Sequence, residues 1–139
     1  MEIKGRILAV DYGLKRIGLA ISDEFRIIAR PVKTILNSSE NLREIEEIIQ
    51  SEKVNLILFG IPYRDDDKND DFIKKIKAFA TKLSQQTGIE VQYVDEYMTS
   101  QKAVQIMVNN GKKKSKRAEK TEIDKIAAAL ILQEYLQNN

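Results

Sequence analysis

The hydrophobic pattern of the first thirty residues predicts three strands. An apolar run over 7–10 leads into Asp11 and a glycine-containing turn, as a buried strand does at its end. Alternating apolar positions predict a second strand over 16–22, and the short link between the two strands predicts a hairpin. A third strand is predicted over 26–30, where Pro31 would close it. This part of the chain is therefore expected to form a hairpin edge of a sheet.

From residue 40 onward the pattern alternates between helices and strands. Apolar residues spaced three and four apart predict a helix over 40–52, for which Ser38 or Ser39 is available as the N-terminal cap. The nearly continuous apolar run over 54–59 predicts a strand buried on both faces, as in a parallel sheet. The remaining predicted elements are a helix over 72–83 that stops near Gly88, a strand over 91–94, a helix from Thr99 or Ser100 to Gly111, and a C-terminal helix over 123–131.

This order of elements, β-β-β-α-β-α-β-α-α, predicts an α/β protein. A hairpin edge followed by βα crossovers indicates a mixed five-stranded sheet, in which parallel strands adjoin the hairpin and helices cover both faces. A chain of 139 residues can bury a sizeable core without disulfides. It shows no internal repeat and no linker. We therefore expect a single domain over 1–139.

The composition removes most of the usual catalytic groups. The chain has no cysteine and no histidine, which excludes disulfides, thiolate nucleophiles, serine–histidine pairs and histidine-ligated zinc or iron. Any catalysis must use carboxylates, lysine, tyrosine, hydroxyl groups or a hard metal ion held by oxygen ligands. No segment approaches the roughly 18 apolar residues of a membrane span, and the N-terminal residues lack the apolar core of a signal peptide. We expect a cytoplasmic protein with no membrane partner.

The basic charge is concentrated in one run, over 112–117, although the formal net charge is only +2. The run is predicted to be a loop before the last helix, where it either contacts a nucleic-acid backbone or is simply solvated. Contacts with phosphates would make binding weaken as the salt concentration rises, and they would position a strand without selecting its sequence. The basic residues of the run are Lys112, Lys113, Lys114, Lys116 and Arg117.

Three acidic residues fall where an α/β protein builds a site. Asp11 ends the first predicted strand, Glu96 follows the fifth, and Asp124 lies one turn into the last predicted helix. Ligands of open α/β sheets collect beyond the carboxyl ends of strands. Three carboxylates brought together there would repel one another and raise their own pKa values, and a divalent cation such as Mg²⁺ would remove that cost. Alternatively, each acid is a solvated residue at the end of its element.

The residues from Ala9 to Asp23 read A-V-D-Y-G-L-K-R-I-G-L-A-I-S-D. This segment resembles the YqgF/RuvX family, whose pattern is D-x-G-x-K-R-I-G-x-A-x-S-D. The resemblance extends in order over essentially the whole chain, and implies an RNase H-like fold similar to that of RuvC-type resolvases. It continues at F-G-I-P over 59–62, V-D-E over 94–96, I-D-K-I-A-A-A over 123–129 and I-L-Q-E-Y-L over 131–136.

The resemblance implies a nuclease that depends on Mg²⁺ or Mn²⁺. Its implied substrate is either the 5′ end of precursor 16S rRNA, in ribosome biogenesis, or a Holliday junction. The acidic positions of the family fall on Asp11, Glu96 and Asp124 as catalytic residues and metal ligands, with Asp95 as a helper. Two departures concern substrate grip: the loop over 63–68 lacks the family's glycine, and Tyr97 replaces an arginine.

Lys15 and Arg16 lie between Gly13 and Gly18. The glycines would let backbone amides approach a phosphate that the two cations neutralise, or the segment is an ordinary hairpin with exposed cations. The same spacing of aspartate and glycines opens actin-like ATPases, but those need a second lobe, for which this chain has no room. Tyr12 could stack on a base, although packing is the more common role of such a tyrosine.

Three functions therefore stay open on the sequence. The preferred one is metal-dependent cleavage of precursor rRNA. Resolution of branched DNA uses the same chemistry but requires two active sites related by two-fold symmetry, hence a homodimer. The third is a nucleic-acid-binding domain that keeps the fold without catalysis.

Overall fold

A computed structural model of the chain describes residues 2–63, 70–96 and 116–138. Five strands and three helices are present in these ranges. In chain order they are β1 (Arg6–Tyr12), β2 (Arg16–Ser22), β3 (Ala29–Leu36), α1 (Asn41–Glu52), β4 (Val54–Ile61), α2 (Asp70–Thr87), β5 (Glu90–Asp95) and α3 (Lys116–Asn138).

The strands form one mixed sheet in the order β3-β2-β1-β4-β5. The three strands at one edge are antiparallel neighbours, whereas β4 runs parallel to both β1 and β5. The short link over 13–15 allows β1 and β2 to pair directly, and the parallel strands need crossovers, which helices supply. This arrangement confirms the predicted five-stranded sheet with a hairpin edge.

Helices cover both faces of the sheet, as predicted. In β1, Leu8 and Val10 point into the cluster that α1 and α2 cover, whereas Ile7 and Ala9 point into the cluster under α3. The apolar run in β4 divides in the same way, with Phe59 on the first face. Because β1 and β4 are central and covered twice, their sequences are apolar at nearly every position.

Helix α1 begins without the serine side-chain cap that the sequence predicts. Its N-cap residue is Glu40, which makes no side-chain cap hydrogen bond. Ser38 acts one step earlier, because its hydroxyl accepts the backbone N–H of Glu40 at 3.2 Å. Ser38 therefore stabilises the turn that leads into the helix.

The end of α1 yields a stability prediction. Lys53 has φ 55° and ψ 51°, and its N–H donates to the carbonyl of Ile49. A residue with a Cβ is strained in this left-handed conformation, and glycine is not. Lys53→Gly is expected to raise the free energy of unfolding by about 1 kcal/mol in urea denaturation. Gln50→Gly, inside the helix, should lower it by about 0.5–1 kcal/mol; a loss for both variants would contradict the prediction.

The third strand begins later than predicted and contains Pro31 instead of ending before it. Among the strands of the described residues, β3 lies at the edge of the sheet and pairs with β2 alone. Proline has no N–H to donate, but a strand edge or a bulge tolerates that loss. Pro31 lies beside such an irregularity, since the register with β2 shifts between Leu19 and Ala20.

The segment predicted as the start of the third strand forms a turn around Asp23. The carboxylate of Asp23 accepts backbone N–H groups of Phe25, Ile27 and Ile28 at 3.2, 2.7 and 2.8 Å. The turn keeps most of this segment out of the sheet, although its apolar residues resemble those of a strand.

The C-terminal helix begins at Lys116, earlier than predicted. The basic run is therefore not wholly a loop, because Lys116 and Arg117 belong to the first turn of α3. The regular spacing of apolar residues in α3 starts only at Ile123, so the hydrophobic pattern does not predict the first two turns of this helix. The helix predicted from Thr99 or Ser100 to Gly111 lies outside the described residues. None of the helices in the described ranges combines the length and apolar composition needed to cross a membrane.

Candidate active site

Strand alternation places Asp11 on the face of the sheet that α3 covers. Asp11 follows Ile7 and Ala9 at intervals of two residues, and both of these lie in the cluster under α3. It is the last but one residue of β1, and it pairs across the hairpin with Gly18 of β2. Asp11 thus lies at the carboxyl end of a central strand, facing a helix.

Glu96 reaches the same end of the sheet from β5. Its backbone N–H donates to the carbonyl of Ile61 at 3.1 Å, and only 7% of the residue is exposed. Gly60 makes room for it: a Cβ at Gly60 would lie 2.7 Å from Glu96 Oε2 and 2.8 Å from Cδ1 of Ile131 in α3. The glycine therefore admits a carboxylate between sheet and helix, where a side chain would exclude it.

Asp124 is brought to this site by a close contact between α3 and β2. A Cβ at Gly18 would collide with the backbone carbonyl of Asp124, so the helix lies directly on the strand only because position 18 is glycine. Ala127 and Ala128 are buried in the same contact region at 1% and 0% exposure. These small residues let the helix approach the sheet.

The three acids interact electrostatically. The pKa of Asp11 is raised well above its usual range, first by burial, then by the charge of Glu96 and a hydrogen bond with it, and further by the charge of Asp124. The tertiary structure thus brings the three acids, from β1, the end of β5 and α3, near enough to one another to interact electrostatically.

Arg16 supplies a positive charge to this site. Its Nε donates to Oδ2 of Asp124 at 3.1 Å, and about a quarter of each side chain is exposed. Arg16, predicted either to contact a nucleic-acid backbone or to be an exposed cation of the hairpin, pairs with Asp124 in the structure. Lys15, the other cation of this turn, is exposed.

The basic run is only partly described. Lys116 and Arg117 are in the first turn of α3, two turns before Asp124. Lys112, Lys113 and Lys114 lie outside the described residues. Asp95, the suggested helper, is an exposed residue at the end of β5.

The donor set fits a hard divalent cation. Within residues 2–63, 70–96 and 116–138, no group of three acidic side chains already encloses a metal position. Asp124 is hydrogen-bonded to Arg16, and Asp11 and Glu96 interact with each other. Carboxylate oxygens are the ligands that Mg²⁺ and Mn²⁺ prefer, and a cation would relieve the repulsion that raises the pKa of Asp11.

The structure gives Gly18 and Gly60 roles that the sequence pattern does not predict. Gly18 makes room for a helix backbone, where a phosphate contact was considered, and Gly60 makes room for the Glu96 side chain. The available signal was a glycine in a strand otherwise rich in β-branched and large residues, which often marks a close approach. Tyr12 packs against Phe72 and Phe79, with ring centroids 6.3 and 5.0 Å apart, so packing explains it.

Comparison with solved structures supports the architecture. RuvC of T. thermophilus, in complex with a Holliday junction substrate, superposes with a TM-score of 0.58 at 14% identity, covering 96% of this chain and 94% of that one. The fowlpox virus resolvase, solved with Holliday junction DNA, gives a TM-score of 0.55 at 14% identity, covering 96% and 97%. The expected RNase H-like fold is thereby confirmed.

Comparison with relatives in sequence is more specific. A protein of Christiangramia forsetii is 39% identical over 135 residues, covering 94% of this chain and 97% of its own length. A protein of Prosthecochloris aestuarii is 37% identical over 140 residues, covering 99% and 97%. Both are named "Putative pre-16S rRNA nuclease". The family model described as "RuvX: Holliday junction resolvase" matches residues 5–138, and we conclude that this chain belongs to the RuvX (YqgF) family.

Proposed function

We propose that this protein is a cytoplasmic, divalent-metal-dependent nuclease that trims precursor 16S rRNA at its 5′ end. The observation that carries the proposal is the meeting of Asp11, Glu96 and Asp124 at one end of the sheet, under α3. Carboxylates are the catalytic groups that a chain without histidine and cysteine can offer. The names of the relatives from Christiangramia forsetii and Prosthecochloris aestuarii support the choice of RNA substrate.

The site residues divide the work of phosphodiester hydrolysis. In this reaction a water oxygen forms a bond to phosphorus while the bond from phosphorus to the leaving oxygen breaks, and the leaving oxygen takes up a proton in place of the one that the water gives up. Asp11 and Asp124 would be direct ligands of Mg²⁺ or Mn²⁺, and Glu96 would be a further ligand or orient the water. When bound, such an ion would supply Lewis-acid activation of water and stabilisation of the leaving oxygen. The burial of Glu96 between Gly60 and Ile131 fixes its carboxyl group and excludes bulk water.

The cations around the site would hold the substrate backbone. Lys15 is exposed in the turn beside Arg16, and the run over 112–117 precedes Asp124 along the chain. Phosphate contacts of this kind set the position of a strand and make its affinity depend on salt. The ion pair with Asp124 keeps the guanidinium of Arg16 at the edge of the site, where it would also lie near a bound phosphate.

The ion pair of Arg16 leads to a prediction about metal binding. Arg16→Gln is expected to tighten Mn²⁺ binding by roughly three- to ten-fold, because it removes a cation that competes for Asp124. Calorimetric titration of Mn²⁺ measures the effect without any substrate. Arg30→Gln is the matched control, since Arg30 lies 3.8 Å from Glu52, away from the site, and should leave the affinity unchanged. Weaker Mn²⁺ binding in Arg16→Gln would mean that Arg16 holds Asp124 in place for the metal.

Resolution of Holliday junctions is the second candidate. Two observations favour it: the description of the family model and the likeness in fold to two junction-bound resolvases. This function needs two active sites related by two-fold symmetry, so it requires a homodimer. A third possibility, binding without cleavage, is disfavoured because all three acids are retained and lie together.

A cleavage assay with matched substrates tests the proposal. End-labelled precursor 16S RNA and a labelled four-way DNA junction are incubated with Mg²⁺, with Mn²⁺ or with EDTA. We expect cuts near the 5′ end of the RNA with either metal, none with EDTA, and none by Asp11→Asn. Cleavage of the junction alone, by a protein that sediments as a dimer, would establish the second candidate. Binding without any cleavage would overturn the assignment as a nuclease.

A further inference from the structure

Two partly exposed tyrosines, Tyr93 in β5 and Tyr63 just after the end of β4, belong to neighbouring parts of the sheet. Tyr63 is 48% exposed and Tyr93 is 38% exposed, so each ring is partly open to solvent. Tyr93 pairs in the sheet with Phe59, so it lies on the face covered by α2. Burial raises the pKa of the Tyr93 phenol, and the neighbouring Tyr63 phenol raises it further. The two phenols are therefore near enough to influence each other electrostatically.

The ring of Tyr93 is held in place from several directions. Phe59, which is fully buried, packs against it with ring centroids 6.5 Å apart. Thr81 of α2 forms a hydrogen bond with the phenol group. Lys77 of α2 places its Nζ 5.6 Å from the ring centroid, within the range of a cation–π interaction. A rigid, partly exposed ring beside a lysine is the combination on which an unpaired base can stack while its phosphate is neutralised.

The position of Tyr63 links this surface to the acidic site. Tyr63 follows Ile61 by two residues, and the carbonyl of Ile61 accepts the N–H of Glu96 at 3.1 Å. Tyr63 therefore lies close along the chain to the residue that holds Glu96 at the end of the sheet. Helix α2, whose Lys77 lies over the Tyr93 ring, carries four lysines, at positions 74, 75, 77 and 82, against two aspartates in its first turn. Its balance of charge favours a polyanion.

We propose that Tyr63, Tyr93 and Lys77 form a base-stacking surface for an unpaired strand of the nucleic acid cleaved at the acidic site. The proposal rests on the proposed nuclease function and adds to it that the substrate is single-stranded next to the cut. Stacking on tyrosine accepts any base, so this surface selects strand state and not sequence. A duplex cannot use it, because paired bases do not expose their faces.

Binding without cleavage tests this surface independently of catalysis. The background is Asp11→Asn in EDTA, so that affinities are measured whether or not the protein is a nuclease. A fluorescein-labelled ten-nucleotide RNA is titrated by anisotropy, alone and annealed to its complement. Because the chain has five tyrosines and no tryptophan, quenching of tyrosine emission by an unlabelled copy of the same RNA reports stacking directly.

The expected pattern separates stacking from general adhesion. Tyr63→Ala and Tyr93→Ala should each weaken binding of the single-stranded RNA by about five- to one hundred-fold, with little change for the duplex. Tyr63→Phe and Tyr93→Phe keep the aromatic ring, so their affinity for the single-stranded RNA should stay within about two-fold of the parent protein. Lys77→Gln should weaken binding and lower its salt dependence by roughly one ion. Lys33→Gln, on the exposed opposite edge of the sheet, is the matched control for charge and should do neither.

Several results would overturn the proposal. Equal losses for single-stranded and duplex RNA, or unchanged affinity in both alanine variants, would do so. A change from dimer to monomer on sedimentation, with RNA affinity intact, would assign the surface to a second copy of the chain. If Tyr93→Ala does not fold, Tyr63→Ala still decides, since Tyr63 follows the end of β4 and is half exposed. Tight single-stranded binding by a protein that cuts nothing would refute only the nuclease assignment.

Discussion

Replacing Asp11 by asparagine is expected to reduce cleavage by at least about a thousand-fold, because it removes a charged ligand from the metal site. The same change is expected to stabilise the protein in EDTA. Asp11 is half-buried and interacts with the charges of Glu96 and Asp124, so its charge is unfavourable in the folded state without a cation. A neutral amide of nearly the same shape avoids that cost. Cleavage assays and urea denaturation measure the two effects on the same preparation.

The destabilising effect of the Asp11 charge should also appear in the pH dependence of the free energy of unfolding. The pKa of Asp11 is raised in the folded state, so the folded protein binds this proton more tightly than the unfolded chain does. The free energy of unfolding should therefore fall as pH rises from the usual aspartate pKa to the raised value, and then level off. Asp11→Asn should lose this fall. Mn²⁺ should stabilise the wild-type protein at neutral pH, and the variant much less.

Asp23 provides a control of opposite sign. Burial is the largest single influence and raises the pKa of Asp23, but the hydrogen bonds from the N–H groups of Ile28, Ile27 and Phe25 together outweigh it and lower the pKa. Its contribution to stability is present above the usual aspartate pKa and is lost as pH falls through the lowered value. Asp23→Asn should therefore lower stability at neutral pH and leave Mn²⁺ binding unchanged.

If Asp11→Asn also destabilises the metal-free protein, the acids do not repel one another as described.

Replacing Gly18 by alanine is expected to produce the second large effect, through the position of α3. A Cβ at this position collides with the backbone carbonyl of Asp124, and backbone cannot move aside as a flexible side chain can. Overpacking of this kind costs typically about 1–3 kcal/mol. The helix must shift away from β2, which moves Asp124 from Asp11. A displacement of about 1 Å can reduce a rate by roughly a hundred-fold, so activity should fall even where the protein still folds.

Gly88 is the matched control for this substitution. It has φ +73°, but a Cβ there would meet nothing within 4 Å. Gly88→Ala should therefore cost about 1 kcal/mol through backbone strain alone and leave cleavage per folded molecule unchanged. Comparing kcat at equal folded fraction separates the two variants. Full activity in Gly18→Ala would show that the contact between helix and strand does not position Asp124.

The strands can be predicted from the sequence because burial on both faces of a sheet requires apolar residues at nearly every position of a central strand. The continuous apolar run in β4 and the alternation in β2 reflect local burial, and both strands were predicted close to their observed ends. The pattern failed where a local signal had two meanings. Pro31 reads as a terminator, but an edge strand tolerates it. The first turns of α3 have no regularly spaced apolar residues, so the hydrophobic pattern does not predict that they are helical.

The candidate site shows the same division. Asp11 and Glu96 could be proposed from their positions at strand ends, and Asp124 from its helix. The pairing of Arg16 with Asp124 joins residues 108 positions apart, and no local pattern encodes such a contact. The proposed surface of Tyr63, Tyr93 and Lys77 likewise combines the segment after β4 with β5 and α2.

The sequence by itself determined the type of fold, its strand and helix order in outline, the restriction to carboxylate chemistry and the identity of the candidate acids. These follow from composition and from periodicities that repeat within a few residues. Only the tertiary structure decided how close the acids come, which cation faces them, and why Gly18 and Gly60 must be glycine. Those facts depend on distances between elements, which are set by packing across the whole sheet and not by neighbours along the chain.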